Sequence, residues 1–502
     1  MTVVARRSRL AAAWAARRGG ADVVVEDVDG RCYMTPLWWW LDAPSLALAD
    51  DVAAARERLP LRLFYGGTEV LTHDTLDTLL ETAGTARPAL REQFLGSDTG
   101  KAAGLAAATL VNNAIQLIFT VIVTRVLGKS DYGALAALIS AFLILMVGGQ
   151  ALQAAAAREV ARRNLGDAAA LRATLDGWMR TLAAVTLLSA AVGFALRDPL
   201  AALVGVDEHP WGAAALLPTG GLWMLLSLQR GVLQGLHAFR PVAFSLLAEA
   251  SSRLGLGVVL AVAAGVTGAY LATPLCFLLT SIWLTVLIDR RLGGPATRAP
   301  RPTLRALIGD GWVPIVGLAL VAVLQNVDVI IGRHQLGDDP AGSYAVAAVA
   351  AKAVVWVAIG VGLQLLPQAT ARAVAGEEPR PVLLRALAVM AAIAAPALLI
   401  FAAVPGTVLR LAFGPDTVDG ADALTLLGPA MTMLAVTYLS VQYLFALGHV
   451  HFLWALGLVA AAEVAVLLAG SFSLTGFAAT VLCVQAVAAA TMLALALRAR
   501  PA

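Results

Sequence analysis

Charge is scarce in this sequence. Asp, Glu, Lys and Arg make up 14% of its 502 residues, against about 25% in an ordinary soluble domain. Lysine is nearly missing, with only Lys101, Lys129 and Lys352 among the 36 basic residues. The formal net charge is +3, so bulk charge does not carry a nucleic-acid-binding role. Cysteine is limited to Cys32, Cys276 and Cys483 with no CxxC, which argues against a disulfide framework or a structural zinc site. There is no GxxxxGK[ST] phosphate loop, so the chain is not expected to hydrolyse ATP. Nor does an HExxH, a GxSxG or a Cys/His pair point to hydrolysis. No apolar stretch follows Arg6, Arg7, Arg9, Arg17 and Arg18, so the start does not read as a signal peptide.

Apolar residues fill the space that charge leaves, at 59% of the chain, and they are unevenly spread. Residues 1–100 carry mixed charge and read as a small α+β extension. Residues 21–33 read as strand, Asp-Gly turn, strand. Residues 50–59 and 72–84 read as short amphipathic helices. Trp38, Trp39 and Trp40 either pack that small core or anchor it at a membrane interface.

From Lys101 onward, apolar runs of about 20 residues recur, each long enough for a hydrocarbon core of about 30 Å. Twelve are expected: 103–125, 132–153, 179–196, 212–235, 241–264, 266–289, 312–333, 341–366, 383–404, 420–446, 448–470 and 473–497. Lipid offers the backbone no hydrogen-bond partner, so each run should be helical. Period-two alternation is missing, which argues against a β-barrel. The expected fold is therefore an all-α polytopic membrane protein with about 12 transmembrane helices and an α+β extension.

The sparse charges are sorted by side. Loops after even-numbered runs hold arginines such as Arg158, Arg162, Arg163, Arg240, Arg290, Arg291, Arg372 and Arg380. Loops after odd-numbered runs hold acids, among them Asp131, Asp198, Asp207, Glu208, Asp338, Asp339, Asp416 and Asp419. The positive-inside rule then puts the even loops and both termini in the cytoplasm. The arginine- and alanine-rich usage suggests a bacterial gene, hence a multi-pass protein of the cytoplasmic (inner) membrane.

The chain also repeats itself. Residues 127–133 read LGKSDYG and residues 336–342 read LGDDPAG, 209 positions on. The same offset carries Gln116 onto Gln325, and LHAF (236–239) aligns loosely with LGHVHF (447–452). Six runs preserve orientation, so the expectation is a parallel repeat, an arrangement used by alternating-access transporters. The expected units are a 1–100 extension, a first six-helix bundle at 101–289, a linker at 290–311, a second bundle at 312–497 and a tail at 498–502.

On these residues the chain resembles a known family. Residues 123–138 (VTRVLGKSDYGALAAL), 233–240 (LQGLHAFR) and 326–367 resemble the polysaccharide flippases of the multidrug/oligosaccharidyl-lipid/polysaccharide exporter superfamily. The resemblance covers about residues 101–497. It implies a V-shaped pair of bundles that moves a polyprenyl-(pyro)phosphate-linked oligosaccharide from the cytoplasmic to the outer leaflet. It also implies the lipid-linked glycan as partner, with the bilayer; separately, the 1–100 extension, which has no counterpart in the resemblance, is a candidate to recruit a glycosyltransferase or polymerase of the same pathway. One chain suffices for such a cleft, so a monomer is expected, with no nucleic acid and no cofactor beyond a coupling H⁺ or Na⁺.

An ionised group in the bilayer is costly, so those present should face a cavity or a partner. Arginine pairs bidentately with phosphate, which makes Arg253, Arg230 and Lys352 the candidate ligands of the substrate phosphate. The alternatives are an ion pair between Arg253 and Glu249 on one helix face, snorkelling for Arg230 and a pair between Lys352 and Asp328. Asp328, Glu463 and Glu249 are candidates for cation coupling. Asn112, Asn113, Gln116, Gln325 and Asn326 form a polar stripe suited to sugar hydroxyls, or to interhelical hydrogen bonds. Two other functions compete. A drug/cation antiporter of the same superfamily would want acids in its cleft. A membrane polysaccharide polymerase or ligase would want a large catalytic outer loop, whereas the longest here is about 197–211.

Overall fold

The computed structural model describes residues 23–26, 32–35, 61–65, 68–73, 98–162, 168–292 and 312–499. The chain divides into two compact units, Met1–Lys101 and Ala102–Ala502.

In the first unit, strands β1 (Val23–Glu26), β2 (Cys32–Thr35), β3 (Leu61–Tyr65) and β4 (Thr68–His73) form one antiparallel sheet in the order β2-β1-β3-β4. Val23 of β1 stands between Thr35 of β2 and Tyr65 of β3. These segments are rich in the β-branched and aromatic residues that suit a pleated surface. The expectation of an α+β extension is corrected: among the described residues, the elements before Asp98 are strands alone. Thr72 and His73, expected to begin a helix, end β4 instead. Residues 38–40, 50–59, the remainder of 72–84 and residues 293–311 of the expected 290–311 linker lie outside the described residues.

The second unit is an all-α membrane bundle. Its helices are α1 (Asp98–Leu127), α2 (Lys129–Leu145), α3 (Val147–Ala161), α4 (Ala168–Ala195), α5 (Arg197–Val204), α6 (Pro210–Ala214), α7 (Leu216–Gly235) and α8 (Phe239–Leu292). They continue as α9 (Trp312–Gln335), α10 (Asp338–Val374), α11 (Arg380–Ala403), α12 (Pro405–Phe413), α13 (Ala421–Ala446), α14 (Phe452–Ala469) and α15 (Leu474–Arg498). Among the described residues, ten helices are long and apolar enough to cross a membrane, which corrects the expected twelve. Two features account for the difference. The first expected run lies within the 30-residue α1, of which the stretch Val111–Leu127 counts, among the described residues, as a shorter apolar helix. The fifth and sixth runs are joined in one 54-residue stretch, α8, whose two helical arms meet at non-helical Ala264 and at Gly265 (φ +58°), the boundary expected between them. Across that break a Cβ at Gly268 would lie 2.1 Å from the carbonyl oxygen of Leu260. Eight residues of straight helix span about 12 Å, so α8 folds back on itself there. Large apolar side chains such as Leu187, Val262, Trp454 and Leu458 stay exposed, as a surface bathed in lipid requires.

The backbone repeats where the sequence does. Gly128 and Gly337, 209 residues apart, precede α2 and α10 with nearly the same dihedrals, φ 81°, ψ 171° and φ 72°, ψ 173°. Gly205 and Gly414, again 209 apart, end the short helices α5 and α12 at positive φ. His237 and Gly448, 211 apart, turn the chain at φ 57° and 75° before the next long helix. Gly133 and Gly342 bring α2 and α10 into backbone contact. A Cβ at Gly342 would lie 2.1 Å from the Lys129 carbonyl oxygen, and one at Gly133 2.9 Å from the Gly342 Cα. This contact sits at the end of the bundle that carries the acidic loops.

The second expected run is broken at Met146, between α2 and α3. The Trp223 indole N–H of α7 donates to the Met146 carbonyl at 2.8 Å. That approach needs Gly149, whose added Cβ would lie 2.4 Å from the Trp223 ring. Gly149→Ala should displace Trp223 and lower stability by about 1–3 kcal/mol, the usual cost of overpacking. Denaturant titration in detergent with tryptophan emission reads this; an unshifted midpoint and spectrum would exclude the contact.

Candidate functional site

Helical periodicity turns one face of several helices toward a common space. α1 supplies Asn112, Asn113, Gln116, Phe119 and Thr120, at steps of three and four. α9 supplies Val321, Ala322, Gln325, Asn326 and Val329 by the same rule. α10 adds Val349, Lys352, Trp356 and Ile359, while α8 adds Leu246, Glu249 and Arg253. Together with α2 and Arg230 of α7 they enclose a cavity of about 460 Å³. The structure thus brings Arg253, Arg230, Lys352, Glu249, Asn112, Asn113, Gln116, Gln325 and Asn326 around one space. Asp328 and Glu463 are not among its lining residues.

The charges pair differently from the alternatives weighed on the sequence. Glu249 does not take Arg253, four residues along its own helix. Its Oε2 accepts from Arg230 Nη2 at 2.7 Å, with the two side chains 1% and 6% exposed. Arg230 Nε donates to Ser245 Oγ at 2.9 Å, and its guanidinium lies 5.9 Å from the Trp223 ring centroid. Arg230 therefore points inward rather than snorkelling, and its charge is compensated. Arg253 lies with its guanidinium 5.7 Å from the centre of the Phe119 ring. Its Nε has no hydrogen-bond partner, and no carboxylate among the described residues stands within ion-pair distance. Glu249 is the one carboxylate among the lining residues, so the cavity keeps a positive excess.

Lys352 does not pair with Asp328. Its Nζ donates to Asn326 Oδ1 at 3.2 Å. Asn326 and Asp328 are two residues apart on α9 and so face opposite sides. Asn326 turns to the cavity, and Asp328 turns to α10, where it accepts from the Tyr344 hydroxyl at 2.7 Å. Asp328 Oδ1 is buried without a partner. Glu463, fully buried in α14, accepts from Gln485 Nε2 of α15 at 3.2 Å; the same amide donates to the Leu324 carbonyl of α9 at 2.8 Å. Neither carboxylate meets a cationic side chain within ion-pair distance among the described residues. The two thus belong to a buried polar cluster behind the cavity wall.

Sequence reasoning missed Tyr344, Gln485, Ser245 and Trp223. Each is a single polar or aromatic residue within an apolar run, and its spacing announces no partner. The glycines split in role. Gly149 and Gly362 admit the rings of Trp223 and Tyr438, while Gly360 faces open space.

A family model described as polysaccharide biosynthesis protein matches residues 100–364. No curated protein matches the chain. Among solved structures, the chain is similar to an inward-facing multidrug resistance MATE family transporter of the MOP superfamily. That match has a TM-score of 0.63 at 14% identity and covers 77% of this chain and 93% of the other. The lipid II flippase MurJ, in an inward closed conformation, aligns at a TM-score of 0.61 and 12% identity over 79% and 88% of the two chains. An outward-facing MATE family transporter of the same superfamily aligns at 0.57 and 15% identity over 81% and 96%. At these identities the likeness establishes a shared fold.

Proposed function

The chain belongs to the polysaccharide biosynthesis protein family, and on that footing we propose that it is a secondary transporter, not an enzyme, that flips a lipid-linked glycan. Its cargo is a polyprenyl-(pyro)phosphate-linked oligosaccharide or related precursor, carried from the cytoplasmic to the outer leaflet by alternating access. The observation that carries this reading is Arg253, a cation in the cavity with no carboxylate at ion-pair distance among the described residues, since Glu249 is bound to Arg230. An anionic phosphate supplies the missing partner, and Lys352 faces it from the other half of the repeat. Asn112, Asn113, Gln116 and Gln325 offer the sugar hydroxyls both donors and acceptors. The positive excess also disfavours a cationic drug as cargo. Both termini lie in the cytoplasm, and residues 101–289 and 312–497 act as the two moving bundles.

Purified protein in vesicles that contain a fluorescent polyprenyl-pyrophosphate oligosaccharide tests the reading. Movement of the label between leaflets is expected, and a cationic dye should neither move nor compete. Dye transport without glycan movement would overturn it.

Asp328 and Glu463 are the proposed seat of the coupling cation. A buried carboxylate with no cationic partner holds a proton or a metal cation rather than a bare charge. Glu249, bound to Arg230, stands outside this role. Glycan movement should accelerate under an imposed Na⁺ or proton gradient, and Asp328→Asn should remove that acceleration while leaving the basal rate. Indifference of the parent protein to both gradients would exclude coupling.

A further inference from the structure

The two halves of the repeat grip each other at the acidic end through reciprocal contacts. Arg125, in the last turn of α1, donates from Nη2 to the Leu411 carbonyl of α12 at 2.6 Å. His334, 209 residues later in the last turn of α9, meets the Leu203 carbonyl of α5 through Nε2 at 3.1 Å. A carbonyl has no hydrogen to give, so Nε2 must be the donor. Leu203 and Leu411 are themselves 208 residues apart, in the two short helices that end at left-handed Gly205 and Gly414. Each arm therefore runs from the first long helix of one half to the short helix of the other.

Two further basic side chains add to the arms. Lys129 Nζ of α2 reaches Asp419 at 2.8 Å and Asp339 at 3.7 Å, both in the second half. Arg333 Nε donates to the Gly205 carbonyl at 3.2 Å, while its Nη2 pairs with Asp338 at 2.8 Å. Between the arms lies the Gly133–Gly342 backbone contact. The cavity begins beside this contact, since Tyr132, Leu135, Ala136 and Ile139 of α2 line it.

We propose that these contacts are a latch that closes the cavity at the acidic end and releases to open it there. Their chemistry suits repeated release. The two arms and the Lys129–Asp419 pair are exposed, so water replaces each partner when they part and the net strength of each is small. Between the arms, the apolar residues that follow the glycine crossing, Ala134 and Leu135 of α2 and Ala345 and Val346 of α10, are buried and carry the rest of the contact. The latch rests on the alternating-access reading, but its test needs no cargo.

The test uses the full chain in sealed vesicles, with Cys32, Cys276 and Cys483 changed to Ser and Ile139→Cys as the cavity reporter. A membrane-impermeant maleimide is added on the side from which a separate Asp416→Cys variant reacts. Combining Arg125→Ala with His334→Ala should raise labelling of the reporter about fivefold or more, the population shift expected when two such contacts are lost. Each single change should fall between. Lys129→Glu should also raise labelling, and adding Asp419→Lys should return it toward the parent level, so the idea is tested even if the double alanine variant fails to fold. Labelling unchanged by Lys129→Glu and by the double alanine variant overturns the latch. Labelling that responds in a protein that moves no glycan leaves the latch standing and removes the cargo reading.

Discussion

Arg253→Ala is expected to lower glycan movement at least about tenfold, the low end of what one charge-assisted hydrogen bond supplies, with the protein still inserted at normal level. The expectation follows from what surrounds the residue. Its guanidinium rests against Phe119, its Nε lacks a partner, and the nearest carboxylate on its own helix is committed to Arg230. Removing Arg253 therefore breaks no ion pair among the described residues, and stability should change little. Arg253→Lys keeps the charge but loses the planar fork that grips two phosphate oxygens, so it should fall between parent and alanine. Leaflet exchange of the fluorescent glycan, normalised to protein level, is the measurement. Parental exchange in Arg253→Ala would remove this residue from the site.

Arg230 should behave in the opposite way. Its pair with Glu249 is almost wholly buried, and deleting one partner strands the other charge out of water. Glu249→Ala or Arg230→Ala should each cost about 3–5 kcal/mol of stability, read from denaturant midpoints in detergent. Replacing both, as Arg230→Met with Glu249→Leu, should recover most of that loss, because an apolar pair of similar volume leaves no orphan charge. The double variant would then separate structure from transport. If it is stable and still moves glycan, Arg230 is a brace for α7 and α8. If Arg230→Ala leaves stability intact and abolishes movement, Arg230 is a phosphate ligand after all.

Much of the candidate site was legible because helices present residues at steps of three and four. Asn112, Asn113 and Gln116, with Gln325 and Asn326, could be set on matching faces by counting, and the structure places all five at the cavity. Counting could not choose between partners. Glu249 sits four residues from Arg253 on α8, yet it pairs with Arg230, which arrives from α7. A Lys352–Asp328 pair was one alternative that counting left open, and the two-residue step on α9 decides it, setting Asn326 toward Lys352 and Asp328 toward Tyr344. The expected helix at residues 72–84 failed at its start because Thr68–His73 pairs with β3, and strand pairing is a choice made between segments.

The sequence by itself determined that this chain is a bundle of membrane helices, that it repeats at an offset near 209, and which few residues carry charge into the bilayer. Those properties are local, because a helix in lipid satisfies its backbone hydrogen bonds along its own segment. Tertiary structure alone decided that Arg230 rather than Arg253 neutralises Glu249, and that Arg125 and His334 reach across to the opposite half. The energy of a buried charge depends on the atoms within a few ångströms of it, and those atoms come from helices that the chain brings together only on folding.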